Sequence, residues 1–363
     1  MYRSHPMKAL VAMSGGVDSS VAAALMLEAG HDVIGVTVKQ WQGADGSLPI
    51  TGCCTVSDAE DARSVADRLG VPYYVLDHVE EFTREVVDRF GVEYLAGRTP
   101  NPCIECNRRV RFGILFERME SLGCDVLVTG HHARVVGDTG YRKLLRAKDR
   151  SKDQSYVLHM LDQSRLDRIR FPIGDMTKDD VRERASGLGL RTATKPDSQD
   201  LCFVAGDYRD FIRERFGDVD RPGLVVDVDG AVLGEHSGTT GFTIGQRKGL
   251  GVAVGEPRFV VSIEPEAGTV VVGPRAALLT AGCSLEEMSW ISGRAPDDSA
   301  IAIQLRYRSE AVPSRLVPTA GGWDVWFDDP QEAVAPGQAG VVYRGDEVLG
   351  GGTIVAALQG VPA

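Results

Sequence analysis

The first part of the chain alternates short apolar runs with longer stretches of helical periodicity. The short runs, rich in β-branched residues, are Lys8–Met13, Asp32–Val38, Tyr73–Leu76 and Val126–Thr129. The helical stretches between them are Ser19–Ala29, Ser57–Leu69, Phe82–Tyr94 and Arg111–Leu122. Ser57 and Glu60 have the spacing of a capping box at the start of the second helix. This alternation predicts an α/β domain with a doubly wound parallel sheet over residues 1–205.

The pattern changes in the second half of the chain. After a last helical stretch at Tyr208–Phe216, short runs with the alternation of strands dominate. Asp229-Gly230 separates two such runs and predicts a β-hairpin. The later runs have the spacing of a small barrel or sandwich. We therefore expect a small central mixed or β domain over residues 206–280 and a C-terminal β-barrel over residues 281–363.

Composition narrows the class of protein. With 363 residues, 43% of them hydrophobic and 25% charged, the chain is an ordinary globular protein rather than a disordered or collagen-like one. Its formal charge of −11 disfavours indiscriminate binding to nucleic acid. No membrane span or secretory signal is visible, so we expect a cytoplasmic protein without a membrane partner. The seven cysteines are then expected to be reduced.

A glycine-containing loop follows the first predicted strand. It reads Ser14-Gly15-Gly16-Val17-Asp18-Ser19-Ser20 and leads directly into the first helix. The two glycines allow close approach of a ligand to the backbone, and amides at a helix start bind anions, so pyrophosphate is the natural ligand. The loop lacks the Gly-Lys-Ser/Thr ending of a Walker A motif. It is similar to the PP-loop of ATP pyrophosphatases, which cleave ATP between its α and β phosphates.

Two cysteines follow two prolines in a predicted loop just before a helix. Cys103 and Cys106 have the Cys-x-x-Cys spacing, and Arg108, Arg109 and Arg111 come directly after them. A helix dipole and neighbouring cations both favour a thiolate, which is the reactive form of cysteine. Half of a zinc site or inert buried thiols are the alternatives. Structural zinc normally takes four ligands, and the sequence contains no second Cys-x-x-Cys.

Six motifs, in this order, together resemble the family of bacterial tRNA-specific 2-thiouridylases. They are Ser14–Ser20, Thr99–Asn107, Thr129–Arg134, Lys152–Tyr156, Asp197–Phe203 and Gly241–Gly251. The resemblance implies a PP-loop (adenine nucleotide alpha hydrolase-like) fold and a tRNA-uridine 2-sulfurtransferase. It implies 2-thiolation of the wobble uridine, position 34, in tRNAs for Lys, Glu and Gln. The implied reaction has two steps: ATP adenylates the uracil 2-oxygen, and sulfur then attacks C2 and releases AMP.

The resemblance also implies roles for single residues. Cys106 matches the nucleophile, and Cys202 matches the thiol that carries a persulfide from a cysteine desulfurase or sulfur-relay protein. Asp18 is implied to lie near Mg²⁺, which binds carboxylate and phosphate oxygens. The implied ATP-binding residues are Ala12, Met13, Ser14, Gly15, Gly16, Val17, Asp18, Ser19, Val38 and Gly130. The implied tRNA-binding residues are Asn101, Pro102, Cys103, His131, Lys152, Asp153, Gln154, Arg306, Tyr307 and Gln338.

The chain departs from the common family pattern at Cys103, where an aspartate is frequent. This departure leaves Cys103, Cys106 and Cys202 as three thiols that could meet in one site. Two forms of sulfur chemistry stay open on this basis. Either the three thiolates hold a [4Fe-4S] cluster with one open iron, or Cys202 carries a persulfide and forms a transient disulfide with Cys106.

Two basic stretches offer places for RNA on this acidic protein. Residues 134–153 contain seven basic and three acidic residues, and residues 98–118 contain five basic and two acidic ones. Because both flank functional motifs, we expect them to follow RNA phosphates. Two other interpretations of the chain are a PP-loop amide synthetase, which needs no paired loop cysteines, and a noncatalytic nucleotide-binding scaffold.

Overall fold

The structure is a computed structural model that describes residues 6–42, 56–196, 201–204, 206–217, 221–252, 255–297 and 300–360. Residues 197–200 of one sequence motif lie outside the described residues, as do Cys53 and Cys54. In the described ranges, none of the helices has the length and apolar composition that a membrane span requires.

Helices and strands alternate in the first half of the chain, and strands dominate the second. The α-helices are α1 (Val17–Glu28), α2 (Val56–Leu69), α3 (Val79–Phe82), α4 (Arg89–Leu95), α5 (Pro102–Glu105), α6 (Phe112–Ser121), α7 (Gln163–Asp167), α8 (Lys178–Gly187) and α9 (Tyr208–Phe216). The strands are β1 (Lys8–Ala12), β2 (Asp32–Lys39), β3 (Tyr73–Asp77), β4 (Val126–Thr129), β5 (Ala133–Val136), β6 (Lys143–Arg146), β7 (Ile169–Arg170), β8 (Gly223–Asp227), β9 (Val232–His236), β10 (Phe259–Glu264), β11 (Thr269–Gly273), β12 (Leu279–Trp290), β13 (Ile301–Gln304), β14 (Val312–Pro318), β15 (Trp323–Glu332), β16 (Ala339–Arg344) and β17 (Glu347–Leu358). Two π-helical segments, Thr83–Asp88 and Cys106–Arg111, join α3 to α4 and α5 to α6.

The first sheet is parallel, with the strand order β3-β2-β1-β4-β7. Helices cover both of its faces. Successive side chains of β1 point to opposite faces, and those on both faces are apolar and buried. Leu10 packs into one hydrophobic cluster with Phe112 and Leu115 of α6. Ala9 and Val11 pack into the opposite cluster, which is formed with α1, α2 and α8. The predicted doubly wound sheet is confirmed.

The strand order reverses at the centre of this sheet. β1 lies between β2, which follows it in the chain, and β4, which comes about a hundred residues later. Ala12 pairs with Thr129, so both strands end side by side at the carboxyl edge. A crevice at such a topological switch point is where open α/β sheets bind ligands.

A small second sheet has the order β10-β11-β8-β9. β8 and β9 pair antiparallel across the Asp229-Gly230 turn, and Gly230 has φ +83°, a conformation that favours glycine. The predicted hairpin and central module are therefore present.

The C-terminal strands close into a barrel. The order is β12-β15-β14-β13-β16-β17, and β17 pairs back with β12, so the six strands leave no free edge. Inward-facing residues such as Cys283, Ile303, Val325 and Ile354 have no exposed surface. The predicted C-terminal β-barrel is confirmed.

An unpredicted hairpin connects the α/β domain to this barrel. β5 and β6 pair with each other, and β6 then pairs with β17 through Leu145–Glu347 and Leu144–Val348. The first domain thereby adds two strands to the outside of the barrel, and backbone hydrogen bonds fix how the two domains sit together.

Two local predictions are wrong. The helix that contains the cysteines begins at Pro102 rather than at Arg111, because proline fits the first turn of a helix and Asn101 caps it. Cys103 and Cys106 therefore lie within helical turns and not in a loop. α2 begins at Val56, so Ser57 lies inside its first turn and is not the capping residue.

Candidate active site

The PP-loop is folded tightly against the start of α1. Gly15 has φ +72°, and a Cβ atom at this position would overlap the carbonyl group of Asp58. The Ser14 amide donates to Ser19 Oγ at 3.1 Å, and Ser19 Oγ donates to the Gly16 carbonyl at 3.2 Å. These contacts hold the loop in a fixed shape at a helix N-terminus, which is a favourable position for phosphate.

A cavity of about 270 Å³ opens in front of this loop, at the carboxyl edge of β1, β2 and β4. Of the ten predicted ATP-binding residues, all except Gly15 line it. Its basic lining residues are Arg111, Lys152, Lys178, Lys195 and Arg308, and its acidic ones are Asp18 and Asp58. The surplus of cationic side chains suits an anionic ligand such as a nucleoside triphosphate.

Gly130 accounts for the close contact between β4 and α1. A Cβ atom on Gly130 would meet the backbone of Asp18 and Ser19. The position predicted to lie near adenosine therefore has to be glycine for the loop and the strand end to pack together.

Asp18 is held by two side chains that the sequence did not single out. Lys178 Nζ lies 2.7 and 2.9 Å from its two carboxylate oxygens, and His132 Nε2 lies 3.2 Å from Oδ1. Burial alone would raise the pKa of Asp18, but the His132 hydrogen bond and the charge of Lys178 together lower it. Asp18 is therefore ionised at neutral pH, and its stabilising contribution is lost only as the pH falls below its usual value of 3.8.

The ionised Asp18 fits the predicted Mg²⁺ role in one respect. Mg²⁺ in nucleotide sites usually takes one or two carboxylates together with phosphate oxygens and water. Asp18 supplies one such carboxylate in the cavity wall, and Lys178 neutralises it in the structure. Asp18 could hold Mg²⁺ only together with phosphates.

Lys195 braces the PP-loop from the other side. Its Nζ donates to the Gly15 carbonyl at 3.1 Å and to carboxylates of Asp58 and Asp61, both at 2.6 Å. Burial disfavours the charged amine, but the hydrogen bonds to both carboxylates outweigh it and raise the pKa of Lys195. The only sequence signal for this contact is the i, i+3 spacing of Asp58 and Asp61, which places both on one face of α2.

Cys106 is buried beside the cavity, with 7% of its surface exposed. Gln40, which lines the cavity just beyond β2, donates a side-chain hydrogen bond to Cys106 Sγ at 3.2 Å. A donor aimed at sulfur stabilises the thiolate relative to the thiol. Sequence reasoning missed Gln40, although its place after the carboxyl end of β2 marks it as a site position.

Cys202 lies against the same hydrophobic cluster that contains Cys106. The residue after it, Phe203, anchors the segment by ring contacts with Trp41, Phe82, Phe90 and Phe211 at centroid distances of 5.3 to 6.1 Å. The structure thus brings Cys106 and Cys202 to one cluster.

Cys103 differs from Cys106 and Cys202 in its solvent exposure, because it is the exposed one of the three. Among the described residues, no three His, Cys, Asp or Glu side chains are grouped so that they could hold a metal ion. In this conformation Cys103, Cys106 and Cys202 therefore do not fit the [4Fe-4S] alternative, because one thiol faces solvent while another is buried under Gln40.

The residues predicted to contact tRNA fall into two groups, and the first borders the cavity. Lys152, Gln154, His131 and Tyr307 line it. Gln154 accepts a hydrogen bond from the His132 amide at 2.9 Å. Burial, with a smaller effect from Arg111, lowers the pKa of His131 to about 3, so its imidazole is neutral at physiological pH. His131 can therefore donate or accept a hydrogen bond but cannot serve as a cation for phosphate.

The second group connects the barrel to the cysteine helix. Gln338 Nε2 donates to the Thr99 carbonyl at 2.6 Å, and the Thr99 amide donates to the Pro336 carbonyl at 2.8 Å. These bonds fix the segment that leads into Asn101, Pro102 and Cys103. Arg306 is exposed on a turn after β13.

Asp153 has an internal role, since it accepts hydrogen bonds from Arg146, the Ala147 amide and Ser155. Its side chain is 8% exposed and is fully engaged within the protein. The contact of Asp153 with tRNA stays a prediction.

Most basic side chains of the stretch 134–153 form ion pairs within the protein. Arg134 and Arg150 pair with Asp346, and Lys143 pairs with Glu347, so three of its cations cross to the barrel. Arg142 and Arg146 pair with Asp167 and Asp153, and Arg146 also stacks on Tyr343 at 3.7 Å. Three of the seven cations of this stretch therefore pair with carboxylates of the barrel and stabilise the contact between domains.

Replacing Gln40 by leucine is expected to slow alkylation of Cys106 by iodoacetamide about tenfold. Leucine has a similar size but donates no hydrogen bond to sulfur, so the thiolate is less stabilised. Peptide mass spectrometry after timed alkylation of the folded protein measures the rate. Gln42→Leu is the matched control, because Gln42 accepts a hydrogen bond from Lys39 instead. An unchanged rate in Gln40→Leu would contradict this role.

Comparisons with known proteins agree with the geometry. Three domain models match: a tRNA methyl transferase HUP domain at residues 7–206, a tRNA methyl transferase PRC-barrel domain at 209–274, and an aminomethyltransferase beta-barrel domain at 280–354. The tRNA-specific 2-thiouridylase MnmA of Roseiflexus sp. (strain RS-1) is 47% identical over 369 residues, which cover 96% of this chain and 99% of that protein. The MnmA protein of Carboxydothermus hydrogenoformans is 49% identical over 359 residues, which cover 96% and 97%.

Among solved structures, a 4-thiouridine synthetase–RNA complex with bound ATP matches with a TM-score of 0.36 and 18% identity, covering 59% of this chain and 51% of that one. The full-length identity to the MnmA proteins carries the assignment and confirms the resemblance seen in the motifs. The chain belongs to the family of tRNA-specific 2-thiouridylases.

Proposed function

We propose that this protein uses ATP to replace the 2-oxygen of the wobble uridine, position 34, by sulfur in tRNAs for Lys, Glu and Gln. One observation carries the proposal: Gln40 lines the cavity of the PP-loop and donates to the sulfur of Cys106. A single side chain, that of Gln40, therefore connects the cavity proposed to bind ATP with the buried thiol of Cys106. Family membership supplies the substrate class.

The first step activates the uridine. The 2-oxygen attacks the α-phosphate of ATP, forms an O–P bond and releases pyrophosphate. The PP-loop amides and the surrounding cations bind the triphosphate, and Asp18 would hold Mg²⁺ against it. Mg²⁺ bound there would neutralise phosphate charge. Activation converts a poor leaving group, the carbonyl oxygen, into AMP.

The second step delivers sulfur. A cysteine desulfurase or a relay protein places a persulfide on Cys202. The Cys106 thiolate attacks the inner sulfur of this persulfide, forms a Cys106–Cys202 disulfide and releases hydrosulfide. Hydrosulfide attacks C2 of the activated uracil and displaces AMP. An external dithiol then reduces the disulfide, so two electrons are supplied in each turnover.

The test is mass spectrometry of the wobble uridine after incubation with tRNA, ATP, Mg²⁺ and a sulfide source under anaerobic conditions. We expect 2-thiouridine together with AMP and pyrophosphate in equal amounts, and pyrophosphate release that depends on tRNA. ATP cleavage that is independent of tRNA and needs an amine acceptor would instead indicate an amide synthetase. Absence of both 2-thiouridine and ATP cleavage would contradict the proposal.

A further inference from the structure

The barrel contributes a strained arginine to the cavity. Arg308 has φ +66°, a left-handed conformation that is unusual for any residue other than glycine, asparagine or aspartate. It lies in a turn closed by bonds from the Ser309 amide and Ser309 Oγ to the Arg306 carbonyl, at 3.1 and 2.9 Å. Glycine would adopt this turn without strain, so the arginine side chain calls for an explanation in function.

Two neighbouring residues of the barrel domain border the PP-loop cavity. Arg308 and Tyr307 line the same cavity as Ser14, Asp18 and Lys178. The guanidinium carbon of Arg308 lies 5.4 Å from the centre of the Tyr307 ring, which supports its orientation. The contact is possible because the β5–β6 hairpin and Gln338 fix the barrel against the first domain.

Arg308 also differs from other arginines at the contact between the domains, because those arginines form ion pairs across it. Arg108, Arg134 and Arg150 each pair with a carboxylate of the barrel. Within the part of the chain that the structure describes, Arg308 forms no ion pair with a carboxylate. Arg308 thus lies in a strained turn, lines a cavity suited to anions and is not neutralised by any carboxylate of the described residues, and such a cation fits an anionic ligand.

We propose that Arg308 binds a phosphate group in this cavity and that docking of the barrel thereby completes the phosphate-binding site. A guanidinium can donate two parallel hydrogen bonds to phosphate oxygens, which a lysine cannot reproduce. The proposal deepens the proposed function, on which it rests. The phosphate belongs either to ATP or to the RNA backbone beside the target uridine, and both present the same chemistry to the guanidinium.

The test uses Arg308→Gly, which removes the guanidinium and relieves the strain at once. We expect its thermal midpoint to equal or exceed that of the wild type, while affinity for phosphate ligand falls about tenfold or more. Ala300→Gly is the matched control, since Ala300 also has a positive φ of 45° but does not line the cavity. If the glycine variant misfolds, Arg308→Asn is the second variant, because asparagine also tolerates a positive φ.

Two binding measurements distinguish the sources of phosphate. Affinity for ATP is measured without tRNA, and affinity for tRNA is measured without ATP at several salt concentrations. Loss of ATP affinity alone assigns Arg308 to the nucleotide, and loss of tRNA affinity alone, with a smaller salt dependence, assigns it to the RNA. Unchanged affinity for both ligands in a stable variant would overturn the proposal. If the wild type does not thiolate tRNA but Arg308→Gly weakens ATP binding, only the proposed function fails.

Discussion

Replacing Cys106 by serine is expected to reduce 2-thiouridine formation by about a thousandfold or more, while ATP binding stays close to that of the wild type. Serine has no thiol, and its hydroxyl is not ionised at neutral pH, so it cannot release hydrosulfide from a persulfide on Cys202. Cys106 lies beside the cavity and does not line it, so the nucleotide site is preserved. Single-turnover thiolation with preformed persulfide and equilibrium binding of ATP measure the two effects separately.

Two further cysteine variants show whether the effect belongs to persulfide chemistry. Cys202→Ser is expected to match Cys106→Ser, because both thiols take part in the proposed sulfur transfer. Cys103→Ser is expected to lose less than about tenfold, since the exposed Cys103 has no part in that transfer. Equal and complete loss in all three variants, with iron and sulfide present in anaerobically purified protein, would contradict the persulfide route and favour the cluster.

The fold and the PP-loop could be predicted because their signals are local. The apolar run of β1 and the alanine-rich apolar sequence of α1 each lie within about a dozen residues. The loop between them needs glycine for its shape, so its chemistry is visible in seven consecutive letters. The same holds for the Asp229-Gly230 hairpin of the central module.

The features that could not be predicted depend on contacts between distant parts of the chain. Lys195 donates to Gly15 across 180 residues, and Gln40 meets Cys106 across 66. The basic stretch 134–153 looked like a phosphate track because the carboxylates that neutralise it, Asp346 and Glu347, come some two hundred residues later. Charge counted along a sequence does not show which charges already pair in the fold.

These long-range contacts have a common consequence for the mechanism. Gln338 positions the segment before Cys103, the β5–β6 hairpin fixes the barrel, and Tyr307 completes one wall of the cavity. The barrel therefore belongs to the active site as well as to the fold. A protein truncated before residue 281 would lose Tyr307 and the hydrogen bond that Gln338 donates to Thr99.

Replacing Asp18 by asparagine is expected to reduce tRNA-dependent pyrophosphate release about a hundredfold or more. Asparagine has the same shape but no charge, so it cannot hold Mg²⁺ against the triphosphate or neutralise Lys178. Lys178 is 8% exposed and would be left as a buried charge without this carboxylate, which typically costs about 3–5 kcal/mol of stability. Pyrophosphate release at saturating tRNA and urea-induced unfolding report the two losses.

Two further variants separate loss of chemistry from loss of stability. Asp18→Asn combined with Lys178→Met removes both charges and is expected to recover much of the stability without recovering pyrophosphate release. Asp58→Asn also removes a carboxylate from the cavity wall, but Lys195 keeps its pairing with Asp61, so a much smaller loss of stability is expected. If pyrophosphate release instead returned with stability in the double variant, Asp18 would act only through the fold, and its assignment as the Mg²⁺-binding carboxylate would be wrong.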